Sequence, residues 1–482
     1  MKINRYSLVL VTVCIVLSVG CTSGQRYTYD AIRDEYADLT CNLPPVNQPT
    51  AGHKVCSLEG PVTVEDAVKI ARANNPDILM ATARIRQASA MIGKSTAAYY
   101  PSVGFYTEYL QGDSPSMYLF KKIDARKLPE RTDFNDPGWF ENFESGITAG
   151  INVYNGGRDR LRRMMSESET AAAQWDRQAV ENLVVSTVIQ VFYDVLATRQ
   201  FITAAEESVE TVKSQLKVMT VRFDSGGALK SDILSLQVRL DEATEALLKS
   251  RNRYRVALSA LANIMGIHPD TPLTIVEKNT IKSVIPAVYE EGVNEALKTH
   301  PALAKAREHL RWSRMAVDYA NYGYLPRIDI NTKYYFDDPG MDYEQNQENW
   351  MAGIYLNWTL FKGFSTKWDS RKANAVLEEM IAADRKTVLN IQFDVRKAYL
   401  SLEEAEQRLI VAKSRVSTAQ ESLSLVKKQY EGGSATITRY LEAELDRNNA
   451  RISEAAAFYD KQKALAEIGR TIGIWHRPDT AE

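Results

Sequence analysis

The sequence predicts a mainly α chain with a small β part, in which a long antiparallel helical hairpin occurs twice and four strands accompany the pair. Three observations carry this prediction: an internal repeat of about two hundred residues, a heptad seam in each half, and two alternating segments ahead of each seam. Ala71-Arg-Ala-Asn-Asn-Pro76 recurs as Ala296-Leu-Lys-Thr-His-Pro301, and Tyr100-Pro101 recurs as Leu325-Pro326, both at an offset of 225. Gly226-Gly227 then matches Gly433-Ser434, and Gly266-Ile267 matches Gly473-Ile474, at an offset of 207. The change of offset falls between Pro101 and the long helices, where loops absorb length variation.

The chain opens on Lys2, Asn4 and Arg5, an apolar run from Leu8 to Val19, and Gly20-Cys21. A basic start, a short apolar core and a small residue before the break form an export signal. The run is shorter than the ~20 residues a spanning helix needs. Cys21 directly after Gly20 gives it the look of a lipoprotein signal in which Cys21 is acylated, although Ser18 stands where such signals usually carry Leu. We therefore expect a signal at residues 1–20 and a periplasmic segment at 21–61. Cys14 leaves with the signal, and Cys41 and Cys56 stand either as a disulfide or as two free thiols.

The first repeat is expected over 62–287 and the second over 288–475, with a tail at 476–482. Each begins with a helical stretch of about 35 residues, 63–98 and 288–323. Next comes a change of period. Val103, Phe105, Thr107 and Tyr109 alternate with Gly104, Tyr106 and Glu108, and Ile328, Ile330, Thr332, Tyr334 and Phe336 alternate with wetter residues. A second strand follows in each half, so that strands are expected at 102–112, 144–154, 327–337 and 350–361.

Beyond the strands, Val184, Val188, Val191, Val195, Thr198, Ile202, Ala205, Val209, Val212, Leu216, Met219 and Phe223 follow a four-three spacing. Adding 207 gives Ile391, Val395, Ala398, Leu402, Ala405, Leu409, Ala412, Val416, Ala419, Leu423, Val426 and Tyr430, all apolar or aromatic. A seam sustained over that many heptads means a coiled coil. The run from Arg158 to Arg222 is about 65 residues, roughly 100 Å long. It breaks at glycines, which permit the left-handed conformation that ends a helix. The hairpin tips are expected at 224–230 and 431–437.

Composition narrows the function. Lys plus Arg number 59 and Asp plus Glu 61, a net charge of −2, which gives no basic patch for nucleic acid. Mean hydropathy is negative, so the chain is not a polytopic helical membrane protein. The five histidines, 53, 268, 300, 309 and 476, lack metal-ligand spacing, and no phosphate loop or nucleophile elbow is present. No catalytic residue, metal or cofactor is expected. Four strands cannot close an outer-membrane barrel, which starts at about eight, and open edges in lipid leave backbone groups unpaired. The strands must be completed by further copies of the chain, which points to a membrane channel. The alternative is a lipid-anchored periplasmic coiled-coil scaffold or adaptor.

The duplicated Asn75-Pro76 and His300-Pro301, the strand exits Tyr154-Asn-Gly-Gly157 and Phe361-Lys-Gly363, and Arg222-Phe-Asp-Ser-Gly226 with Gln429-Tyr-Glu-Gly-Gly433 and Tyr440-Leu-Glu-Ala443 form an ordered set. Over residues 62–475 this set resembles the TolC-type outer-membrane efflux proteins, in the branch with lipoprotein signals. The resemblance implies a homotrimer with a shared twelve-stranded β-barrel in outer-membrane lipid and a trimeric α-barrel in the periplasm. It also implies docking to a periplasmic adaptor protein and an inner-membrane pump, as the exit duct of a tripartite efflux or type I secretion system. The docking tips would carry Phe223, Gly226, Gly227, Leu229, Tyr430, Gly432, Gly433 and Ile437. Where the family often places acidic residues past the second tip, this chain has Arg439 and Glu442; Asp232 matches Arg439 under the 207 offset and is its candidate gate partner.

Overall fold

The computed structural model describes residues 60–277, 285–342 and 346–476. Cys21, Cys41 and Cys56 lie outside them, so the expected acylation and the choice between a disulfide and two free thiols fall beyond the described residues.

The helical stretch expected at 63–98 is two helices, α1 (Val64–Asn74) and α2 (Pro76–Thr96). Pro76 disfavours helical backbone in the residue before it, and Asn75 is extended at φ −62°, ψ 125°. The break is used as a cap: the Asn75 side chain accepts from the Asp77 backbone N–H at 2.9 Å, with Pro76 in the first turn where no N–H is needed. The second half repeats the device. Helices α6 (Tyr289–Thr299) and α7 (Pro301–Asn321) meet at His300, φ −65°, ψ 122°, whose Nδ1 accepts from Ala302 N–H at 3.2 Å.

Strands β1 (Ser102–Gly112), β2 (Phe140–Asn155), β3 (Arg327–Asp338) and β4 (Glu348–Asn357) form one antiparallel sheet in the order β1-β2-β3-β4. Two strand bounds differ from expectation by four residues, the others by two at most. β2 begins at Phe140 rather than 144 because Leu110, Gln111 and Gly112 of β1 give Asn142, Glu141 and Phe140 partners. β4 stops at Asn357 rather than 361 because its neighbour β3 begins at Arg327, opposite Asn357. The β1–β2 connection contains a helix, α3 (Pro115–Asp124).

Helices α4 (Arg158–Asp224) and α8 (Ser365–Glu431) have 67 residues each, about 100 Å. Their return partners α5 (Lys230–Ile264) and α9 (Ile437–Ile472) are about half as long. The sheet-proximal half of α4 is therefore covered by α2 and α7, and that of α8 by α7. Side by side, the distal halves run α5-α4-α9-α8. A window of α4 is apolar enough to cross a bilayer, mean hydropathy 1.4, but most of it is buried against other helices, which makes it core.

The main core lies where the two repeats meet near the short helices, around the fully buried Phe192, Leu261, Met265, Val395, Ile468 and Ile472. Trp475 closes it. Its indole Nε1 donates to the Ala466 carbonyl at 2.8 Å, its backbone N–H donates to Asn182 Oδ1 at 3.0 Å, and its ring lies on Gly469. A β-carbon at Gly469 would sit 2.3 Å from Trp475 Cε2. Gly469→Ala should therefore cost about 1–3 kcal/mol by overpacking, and Trp475→Ala about 3–5 kcal/mol. In the Trp475→Ala background the Gly469→Ala cost should nearly vanish. Thermal unfolding followed by circular dichroism of the four chains checks this; additive costs would contradict the contact.

Candidate functional site

The sheet has two chemically distinct faces because register partners share a side. Phe105, Ile147, Tyr334 and Trp350 are in register across all four strands and leave an apolar row open, with Phe105 75% and Trp350 77% exposed. The opposite side carries Tyr106, Glu144, Lys333, Asp337, Asn331 and Asp329. One face is thus suited to lipid and the other to an aqueous lumen. The outer edges of β1 and β4 have no strand partner among the described residues.

Helix α3 lies on the polar side. Lys121 Nζ binds Glu144, and Asp337 Oδ1 at 3.0 Å; Lys333 Nζ also reaches Glu144 at 2.5 Å. Lys127 Nζ binds Asp338 Oδ2 at 2.5 Å, and Asn142 donates to Asp337 Oδ1 at 2.6 Å. Burial works against the Lys121 charge, but hydrogen bonds to Glu144 and Asp337 outweigh it and raise its pKa.

At the far end the two tips form a second, smaller core. Val212, Met219 and Leu236 of the first hairpin pack with Val426, Ile437, Tyr440 and Ala443 of the second. The tip turns are built alike: Gly226 (φ +80°) and Gly433 (φ +77°) take the left-handed conformation, and Gly227 N–H donates to the Arg222 carbonyl as Ser434 N–H does to Gln429. A side chain at either glycine would be strained. Tyr430 stacks on Tyr440 with centroids 5.5 Å apart, and the Arg222 guanidinium lies over the Tyr430 ring at 5.5 Å.

The predicted tip residues separate into two groups. Phe223, Gly226, Gly227, Leu229, Gly432 and Gly433 are exposed. Ile437 is buried and Tyr430 half-buried in the tip core, so those two hold the hairpins together instead of standing on the outer surface. Within one protomer Asp232 and Arg439 have separate partners. Asp232 Oδ2 accepts from Leu229 N–H at 3.4 Å, and Arg439 Nη1 binds Glu442 Oε2 at 3.3 Å, one turn along its own helix.

The sequence reading missed the residues that join the hairpins. Gln215 donates to Tyr440 Oη at 3.4 Å, Arg451 pairs with Glu207, and Lys463 pairs with Asp194 at 2.8 Å. Glu444 is buried one turn from Tyr440, with Oε1 lacking a hydrogen-bond partner in the protomer, and burial raises its carboxyl pKa. The signal available was Glu444 following the quoted Tyr440-Leu-Glu-Ala443, but the facing residues are more than two hundred positions away.

Comparison with known proteins places this geometry. The family model described as outer membrane efflux protein matches residues 67–267 and 292–473, one match per repeat. The pyoverdine export outer membrane protein OpmQ of Pseudomonas aeruginosa is 22% identical over 421 residues, covering 86% of this chain and 85% of its own. Outer membrane protein TolC of Escherichia coli is 22% identical over 336 residues, covering 66% and 67%. The Campylobacter jejuni CmeC outer membrane channel shares the fold, with a TM-score of 0.71 at 16% identity over 90% of this chain and 95% of that one. The chain belongs to the outer membrane efflux protein family, of TolC type, and is an outer-membrane channel of the efflux and secretion class.

Proposed function

We propose that three copies of this chain close into one duct, anchored by an acylated Cys21, and that its tips dock a periplasmic adaptor coupled to an inner-membrane pump. The observation that carries this reading is the pair of open flanks. At the membrane end β1 and β4 have no outer strand partner among the described residues; along the helices, α5 and α8 are the outer members and keep apolar side chains uncovered. Leu234, Val238, Leu248 and Val256 stand out on α5, and Phe393, Leu400, Ile410, Val411 and Leu425 on α8. The two flanks differ, so copies meet head to tail, an arrangement that makes a ring when the rotation between them closes. Three copies give twelve strands, within the range of outer-membrane barrels. Detergent-extracted protein should have the mass of a trimer and resist dissociation by heat; a monodisperse monomer would refute the assembly.

Closure of the tube lies at the tips. Arg451–Glu207 ties the second hairpin to the first on the tip side of the central core, and Tyr440 packs between it and the turn, whereas Lys463–Asp194 ties them farther away, beside the central core. Arg439 and Glu442 remain exposed, and in the assembly Asp232 of a neighbouring copy is the candidate partner of Arg439. A half-exposed ion pair contributes about 0.2–1 kcal/mol, so Glu207→Gln should raise the open fraction by up to about fivefold. Arg439→Ala should act in the same direction. Planar-bilayer conductance reads both; unchanged closed-state conductance in each would remove these residues from the gate.

The transported class is set by the partner pump, and the duct contributes size and charge. Lipid attachment is tested independently. Cys21→Ser should abolish labelling by radioactive palmitate while leaving the trimer mass unchanged; undiminished labelling would place the acyl chain elsewhere.

Glu444 adds a pH dependence. Its folded pKa lies above the unfolded one, so its contribution to stability is present in acid and lost as pH rises through the raised value. Glu444→Gln should stabilise the tip core at neutral pH and flatten the fall in melting temperature between acid and neutral buffer. Identical pH profiles for the two chains would show that the carboxyl is solvated in the assembly.

A further inference from the structure

The outer mouth of the duct carries a structure that a channel does not need for passage. β1 is entered directly from the helical region and β2 returns to it, so the connection holding α3 lies at the opposite, extracellular end of the strands. Its helix does not extend into solvent. Tyr118, Lys121 and Ala125 turn to the sheet: Tyr118 meets Phe140 edge to face, Lys121 binds Glu144 and Asp337, and Ala125 is fully buried. Asp124 extends the contact across the sheet, its carboxylate accepting from Tyr335 Oη at 3.3 Å and its carbonyl from Asn349 at 3.2 Å. Glu144, Tyr335, Asp337 and Asn349 all belong to the polar side, opposite the Phe105–Trp350 row. The helix therefore lies inside the barrel wall.

The face of α3 turned away from that wall is apolar. Met117, Phe120 and Ile123 recur at a spacing of three along it, and Phe120 is 66% exposed. Twelve strands about 4.8 Å apart and tilted about 40° enclose a circle of roughly 12 Å radius. A helix with its side chains is about 10–12 Å thick. One helix laid on each third of the wall thus reaches the axis.

We propose that α3 is a built-in outer constriction, in which Met117, Phe120 and Ile123 of three copies meet on the channel axis and form an apolar ring. Such a ring holds back water and ions by dewetting, and the Lys121 and Lys127 ion pairs clamp it to the wall. The occupant of the exposed face is a second and third copy of the same helix. The proposal rests on the trimeric reading above, and its test separates the two.

Phe120→Cys is introduced into the full chain and purified as the native oligomer, with Ile123→Cys as a second reporter on the same face. Oligomer mass is measured first; a monomer there would defeat the trimeric reading itself. In trimers of intact mass, oxidation or a short bis-maleimide should join two of every three chains, because three thiols around one axis allow only one bridge. The parent chain sets the background from its own cysteines, and Phe105→Cys on the lipid side should add nothing to it. Lys121→Ala with Lys127→Ala should slow the bridging severalfold by releasing the helix. Intact trimers in which neither reporter bridges above background would overturn the constriction, and bridging indifferent to the two lysines would overturn the clamp.

Discussion

The backbone of β1 and β4 imposes the constraint on which everything else depends. An outer-membrane strand edge has no water to satisfy its N–H and C=O groups, at a cost of several kcal/mol for each one left unpaired. A four-stranded sheet with an apolar row on one face cannot exist alone in lipid. Once copies must meet edge to edge there, the helices leaving the same strands must also meet, and the apolar stripes on α5 and α8 are what they would meet with. The soluble tube and the membrane barrel are thus two consequences of one closure condition, and the duplication lets a single chain supply two quasi-equivalent segments of it.

The duplication is architectural more than energetic. Both long helices have 67 residues, yet nineteen of α4 are buried in the protomer and only six of α8. α4 is the spine, held by α2, α5, α7 and α9, whereas α8 is a flank that leaves much of its surface to a neighbour. Their local devices match all the same. A proline-directed break after the first short helix, capped by Asn75 in one half and His300 in the other, turns the chain at the same place twice. His300 does this as a neutral ring: burial, then the nearby Arg470, holds its pKa down at about 4, which keeps Nδ1 free to accept the Ala302 N–H.

What was legible in the sequence follows from the range of the interactions involved. Heptads, period-2 faces and tip glycines are local patterns, and Pro76 and Pro301 likewise announce the helix break that a reading of one 35-residue stretch passed over. Strand ends are set by neighbours, so β2 and β4 differ from expectation where β1 and β3 begin or end. The contacts at both mouths are longer still in range. Nothing in Lys121 states that it will lie beside Asp337, nor in Glu207 that Arg451 will reach it, because each pair is assembled by the fold across more than two hundred residues. Ile437 shows the opposite case, a residue beside the tip turn whose side chain turns inward.

The distribution of packing decides which part of this molecule can move. The central core contains large, fully buried side chains from both repeats, and separating them would cost about 1.5–3 kcal/mol for each. The tip core has only seven buried members, bordered by half-exposed ion pairs and by a carboxyl with an unsatisfied oxygen. Along the second hairpin the seam is also thinner at three positions: Ala398, Ala405 and Ala419 stand where the first has Val191, Thr198 and Val212. Each lost methylene removes about 0.8 kcal/mol of burial, so the α8 seam grips its neighbours less firmly than the α4 seam does. Opening at the tips can then draw on the weakest contacts in the chain while the central core and the barrel stay closed, which is the arrangement of stabilities that a gated duct requires.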